Sequence, residues 1–286
     1  MRRIAKHAIR ALIVLVLGGF LGATLVRMAP GFGLDEQQLD SRLNADSLLA
    51  LRRAHTYNGS LAEFYLRYLG DLVHGDFGVS IALHEPVREL VAERLPETLK
   101  SVGLGLAVGW TLGLGLAIAS TSAQSRYVDM GASLLAILAL CVPAAVMALL
   151  FLIVQAPARL IIGLVVFPNI FQYTRTILKR TVEMPHILTA RAKGLDGPAI
   201  MLRHVLPVAG PQILALAGVS VSLAFAATIP VEALCDLPGI GQLAWNAVMS
   251  RDLQLLINLT MIVTFVTIVA AAIAELAAVP LRAGEV

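Results

Sequence analysis

Charge is scarce in this chain of 286 residues: Asp, Glu, Lys and Arg make up 14%, against 58% apolar residues. With a mean hydropathy of +0.80, that balance excludes an ordinary soluble domain, in which about a quarter of residues are charged. Cysteine is scarcer still. Cys141 sits inside an apolar run and Cys235 beyond another, so no disulfide framework or spaced metal site follows, and both read as small core hydrophobes. No G-x-x-x-x-G-K-[ST] loop is present, so the chain cannot cradle nucleotide phosphates by that route. The six histidines are scattered without H-E-x-x-H spacing, G-x-S-x-G is missing, and no cysteine has an evident base partner. His186 and His204 read as polar surface residues. No catalytic residue, metal or cofactor is therefore expected in this chain.

What is present is a set of long apolar runs. Windows of span length fall at residues 8–28, 99–120, 128–154, 160–178, 208–229 and 255–279. They predict one all-α polytopic bundle of about six spans, a single transmembrane domain over residues 1–286. The first run follows Arg2, Arg3, Lys6 and Arg10 like a signal-peptide start. No small-x-small cleavage site follows it and Arg27 stands where one would lie, so an uncleaved anchor is expected. The positive-inside rule places that basic start in the cytoplasm.

Alternation then assigns the rest. Residues 30–97 fall outside and carry eleven carboxylates against six arginines. Residues 121–127, with Arg126, fall inside. Residues 155–159 form a short outside turn. Residues 179–206 fall inside with Lys179, Arg180, Arg191, Lys193 and Arg203; 230–254 are outside, and the tail with Arg282 is inside. Both termini are expected in the cytoplasm.

The inside segment 183–207 cannot be a span. Pro185 suits a first helical turn, Gly194 suits a left-handed helix end, and Asp196 suits an N-cap. Pro207 is expected to end a second helix by excluding the helical conformation before it. Two helices of about ten residues, roughly 15 Å each, make a basic hairpin too short to cross a bilayer.

Gly105, Gly109 and Gly113 form a small-residue ladder in the second span. They read as tight helix packing, or alternatively as a lining for a translocation path. Pro143 and Pro168 are expected to bend the third and fourth spans. Asn169, Gln172 and Asn258 should face protein or a wet cavity, and Arg175 and Glu275, near span ends, can snorkel or pair. No charge falls at the centre of a span, which weighs against an ion-coupled carrier.

At this point the residues resemble a known family. T-A-R-A-K-G-L at 189–195, then nine residues after Gly194 and the ending H-V-L-P at 204–207, resembles the cytoplasmic "EAA" loop of ABC-importer permeases. More narrowly it is similar to the first-subunit branch of the dipeptide/oligopeptide/nickel permeases. The glutamate that names the loop falls at Leu188 and is absent, while Ala190 occupies the alanine position. G-D-F-G-V-S at 75–80 with E-R-L-P-E-T-L at 93–99, and P-V-E-A-L-C-D-L-P-G-I-G-Q-L at 230–243 followed by Arg251 and Asp252, extend the likeness over essentially the whole chain. The family's longer outside segment between spans three and four is reduced here to residues 155–159. Its Asp-Pro-Arg-like tail is replaced by Val279-Pro280-Leu281-Arg282.

The resemblance implies a type I permease fold in a bacterial inner membrane. Its partners would be a second permease subunit, two ABC ATPase subunits that bind ATP and Mg, and an extracytoplasmic substrate-binding protein. It implies ATPase coupling through Ala190, Arg191, Ala192, Lys193, Gly194, Leu206 and Pro207; a hairpin that only tethers the bundle at the lipid surface is the plainer alternative. Glu232, Pro238, Gly239 and Gly241 read as an outer gate or binding-protein contact, or equally as a packed outside loop. The acidic segment 30–97 reads as support for binding-protein docking or as a solvated cap. Substrates implied are dipeptides or oligopeptides, with nickel or glutathione-type compounds as variants. An ATPase-independent channel or carrier is the rival class, and a membrane-embedded hydrolase a third.

Overall fold

The structure is a computed structural model; it describes residues 74–123 and 125–283, with 13, 16–21, 24, 65 and 68–72. The expected first span and most of the acidic segment thus fall largely outside the described residues. The chain divides into two compact units, one of residues 1–92 with 246–264, the other of 93–245 with 265–286. Among the described residues there is no β-strand, only an isolated antiparallel bridge between Val79 and Pro86.

The helices are α1 (Val87–Ser122), α2 (Arg126–Cys141), α3 (Ala144–Ile153), α4 (Arg159–Val182), α5 (Pro185–Ala192), α6 (Gly197–Ile200), α7 (Leu206–Leu234), α8 (Ile240–Met249) and α9 (Leu253–Ala283). Among the described residues, four stretches are long and apolar enough to cross a membrane: α1, α4, the run Gly197–Leu234, and Gln254–Ala278 within α9. The pair α2–α3 makes a fifth if it counts as one span bent by 90°. That bend sits at Pro143. Val142, the residue before the proline, is extended at φ −88°, ψ 116°, because the pyrrolidine ring disfavours the helical conformation in its predecessor. Pro168 behaves differently, since α4 runs through it as a single helix.

The hairpin departs from expectation at its far end. Pro207 does not stop the second helix, which continues from α6 through a π-helical turn at Met201–Val205 into α7. A proline in an α-helix leaves one carbonyl without its donor and presses its ring against that carbonyl. A wider i→i+5 turn just before it supplies the slack. The helix then continues through the proline, with Leu206 at helical angles φ −61°, ψ −41°.

In the larger unit α4 packs against α2, α3 and α7, and glycines bring α1 against α4. A Cβ on Gly105 would meet Ile162 at 2.6 Å, one on Gly113 would meet Ile170 at 2.8 Å, and one on Gly163 would meet the Gly105 carbonyl at 2.9 Å. Backbones this close suit a bilayer interior, where packing rather than apolar burial holds helices together. Gly103 and Gly115 face open space.

In the smaller unit Tyr65, Tyr68, Ile257 and Met261 form a core. The Tyr68 hydroxyl donates to Asn258 Oδ1 at 3.0 Å, and Asn258 Nδ2 donates to the Phe77 carbonyl at 2.9 Å. Asp252, 1% exposed, caps the start of α9 by accepting the Leu255 N–H at 3.0 Å. It also accepts the Ser80 hydroxyl at 2.6 Å, which pins the loop that carries Gly78, at φ +71°.

Overpacking a tight interface costs roughly 1–3 kcal/mol. Gly113→Val should therefore lower the thermal midpoint in detergent by several degrees, with Gly115→Val close to wild type. Equal midpoints for the two variants would contradict the α1–α4 contact.

Candidate functional site

The hairpin is rooted rather than dangling. Met184 is extended at ψ 146° and Pro185 opens α5 at its first turn, where a missing N–H costs nothing. The helix ends at Lys193, and Gly194 follows at φ +80°, a conformation a side chain resists. Asp196 takes N-cap angles for α6 but makes no side-chain cap bond. Ile187 and Ala190, three residues apart, point into the core with Ile200, Met201, Val205, Phe171 and Leu178. That same core includes Ala117 of α1 and Ala132 and Ala136 of α2.

The residues singled out from the sequence therefore separate. Ala190 is 5% exposed and packs inward, while Arg191, Ala192, Lys193 and Gly194 all lie on the surface. Leu206 rests against the core and Pro207 is exposed. Two residues that sequence reasoning missed join the surface: Leu188 at 60% and Leu202 at 65% exposure, with Arg203 beside the latter also exposed. An apolar residue left out within a basic hairpin is the signal that was available for Leu188.

Near the hairpin end of α4, Asp129 of α2 takes both Arg175 Nε and Nη2 at 2.5 Å and Lys179 Nζ at 2.6 Å. The bidentate fork fixes the rotation of α2 against α4 as well as supplying attraction. Arg175 was expected to snorkel or pair; it pairs. Asp129 was not singled out from the sequence.

At the opposite end of the same unit a second polar knot forms around Glu232. Its carboxylate is 1% exposed and accepts the Thr98 hydroxyl at 2.9 Å and the Gly241 N–H at 2.6 Å. The Thr98 oxygen in turn accepts the Ile240 N–H at 2.7 Å. Glu232 thus caps the start of α8 from the last turn of α7, and Thr98 of α1 completes the cap. The glycines explain themselves here. A Cβ on Gly239 would overlap the Glu232 carboxylate, and one on Gly241 would meet the Thr228 backbone at 2.7 Å.

Neighbouring residues of α1 add a second bond to α8 and tie in α4. Arg94 donates to Gln242 at 3.3 Å, and Glu97 pairs with Arg159 of α4 at 2.9 Å. Of the four residues grouped from the sequence, Glu232, Gly239 and Gly241 come together; Pro238 lies on the exposed turn. Thr98 was missed, although it falls in the E-R-L-P-E-T-L stretch that carried part of the resemblance.

With this geometry in view, the comparisons with known proteins give the class. Residues 110–281 match the family described as binding-protein-dependent transport system inner membrane component. The chain belongs to that family, the ABC-importer permeases that its motifs resemble. With several membrane-length helices, it is a multi-pass inner-membrane permease subunit. Among its relatives is the oligopeptide transport system permease protein OppB of Escherichia coli K12, 27% identical over 278 residues, covering 90% of this chain and 89% of that protein. A Brucella suis biovar 1 protein named as a peptide permease is 27% identical over 283 residues, covering 88% and 89% respectively.

Glu232→Ala removes the acceptor of the cap, and Gly239→Ala drives a methyl into it. Each should lower the thermal midpoint. Their effects should not add, because the first change vacates the space the second fills, and such coupled pairs differ from additivity by about 0.5–3 kcal/mol. A double variant as unstable as the sum of the singles would contradict this reading of Gly239.

Proposed function

We propose that this chain is the path-forming permease of an ATP-driven peptide importer, and that its hairpin is the surface on which an ATPase subunit docks. One observation carries the reading: the hairpin is held rigidly by Ile187 and Ala190 in the core, while Leu188, Arg191, Lys193, Leu202 and Arg203 face outward. A tether needs only an apolar face turned to lipid. A docking element needs a firm root and an exposed mixed face, and this hairpin has both.

The basic residues of the hairpin and of the chain's start put both on the cytoplasmic side by the positive-inside rule. The tail, with Arg282, follows. The Glu232 knot then lies toward the outside. In this reading the chain works with a second permease, two ATPases that hold ATP and Mg, and an extracytoplasmic binding protein, and it holds no cofactor and performs no hydrolysis itself. ATP-driven movement of the ATPases reaches α2, α4 and α7 through the shared core and rocks the spans as bodies. Peptide as substrate is supported by the names of the relatives. Uptake of labelled trialanine, competed by unlabelled peptide but not by nickel or glutathione, tests it.

The burial of Ala190 decides how the docking face is tested. Ala190→Asp would bury a charge in the core and harm the fold, so its effect on docking is uninformative. The double change Leu188→Asp with Arg191→Glu alters only exposed positions. It should leave a folded protein in the membrane and cut ATPase recovery in co-purification at least tenfold. Undiminished recovery would remove the hairpin as docking site.

A further inference from the structure

The Glu232 knot invites two opposite roles in a transporter: a gate that opens each cycle, or a clasp that never does. We infer that it is a permanent clasp, with Glu232 a positioning residue that makes residues 94–98 of α1, the starts of α4 and α8 and the end of α7 travel as one body. The inference rests on the importer reading above and assigns this end of the chain a fixed part in it.

Three observations carry it. First, the Glu232 carboxylate is buried and accepts both the Thr98 hydroxyl and the Gly241 N–H. Opening would leave a buried carboxyl group without its donors and the start of α8 uncapped, and unmade bonds of buried polar groups are costly. Second, the fit is steric as well as polar. Gly239 lies against the carboxylate and Gly241 against the α7 backbone, so the α7–α8 turn has no room to slide over its own support. Third, the bonds converge on neighbouring residues of α1. Arg94 reaches Gln242, Glu97 reaches Arg159 and Thr98 reaches Glu232; Gln242 is held again by Asp236 at 2.6 Å. Elements that move are drawn from weakly bonded parts of a fold, and this is among the most densely bonded. Opening of the path at this end therefore has to occur at faces outside the clasp.

The test locks the clasp and asks whether transport survives. In a Cys141→Ala, Cys235→Ala background, Arg94→Cys and Gln242→Cys are joined by bis-methanethiosulfonate linkers of graded length in the fully assembled complex. Intact mass reports the linked fraction, and the readouts are ATP turnover and uptake of labelled trialanine. A linked complex should keep both within about twofold of the unlinked one. A tenfold or greater fall in ATP turnover or uptake that reductant reverses would overturn the inference, as would failure of every linker length to bridge the pair. ATP turnover reads the clasp even if trialanine is not transported, an outcome that would count against the peptide assignment alone. A complex that recruits no ATPase would instead overturn the docking assignment, with the inference that rests on it.

Discussion

A bilayer interior supplies no water, so every backbone polar group the chain carries into it must be paired by the chain itself. Helices discharge that obligation for the backbone, which is why long helices dominate the described residues. The side chains obey the same constraint at a few knots. Asn258 and Asp252 are buried and bonded in the smaller unit; Asp129 and Glu232 hold opposite ends of the larger one. Between those knots the contacts are made by glycines and apolar side chains, with Trp110 Nε1 donating to Ser220 Oγ at 3.0 Å. The result is a unit fastened at both ends and closely packed in between.

That arrangement bears on how force could pass through the molecule. The hairpin shares one core with residues of α1, α2, α4 and α7, so a push on it is a push on all of them. Asp129 sets the relation of α2 to α4 at the hairpin end, and Glu97 and Arg159 tie α1 to the other end of α4. A helix held at both ends transmits displacement rather than absorbing it. The glycine-lined contact of α1 with α4 serves the same purpose, because close backbones leave little slack.

Much of this was legible in the residues. Apolar runs located the four membrane-length helices among the described residues, and Gly194 was recognised as a left-handed helix end from its place after T-A-R-A-K. Pro143 marked a sharp bend. What escaped were relations set by three-dimensional pairing. Thr98 and Glu232 are 134 positions apart, and no local pattern links them. Asp129 drew no notice in the sequence, because Arg175 and Lys179 lie 46 and 50 positions on and reach it only once α4 packs against α2. Ala190 was read as a docking residue because it holds the alanine position of the resembled loop, yet a small residue suits a buried position just as well, and eight residues of helix give too little period to decide. Pro207 broke a local rule because that rule only disfavours, and does not forbid, a helical residue before proline, while the preceding π turn relieves the separate clash of the ring with the carbonyl one turn back.

The most direct measurement is hydrogen exchange along the permease, alone and then assembled with its ATPase subunits. The account predicts that backbone amides of residues 188–194 exchange more slowly once the ATPases bind. The amides of Ile240 and Gly241, already bonded within the clasp, should be protected in both states. Unchanged exchange in the hairpin of a complex that demonstrably contains ATPase would contradict the account, because coupling would then have to enter the molecule somewhere else.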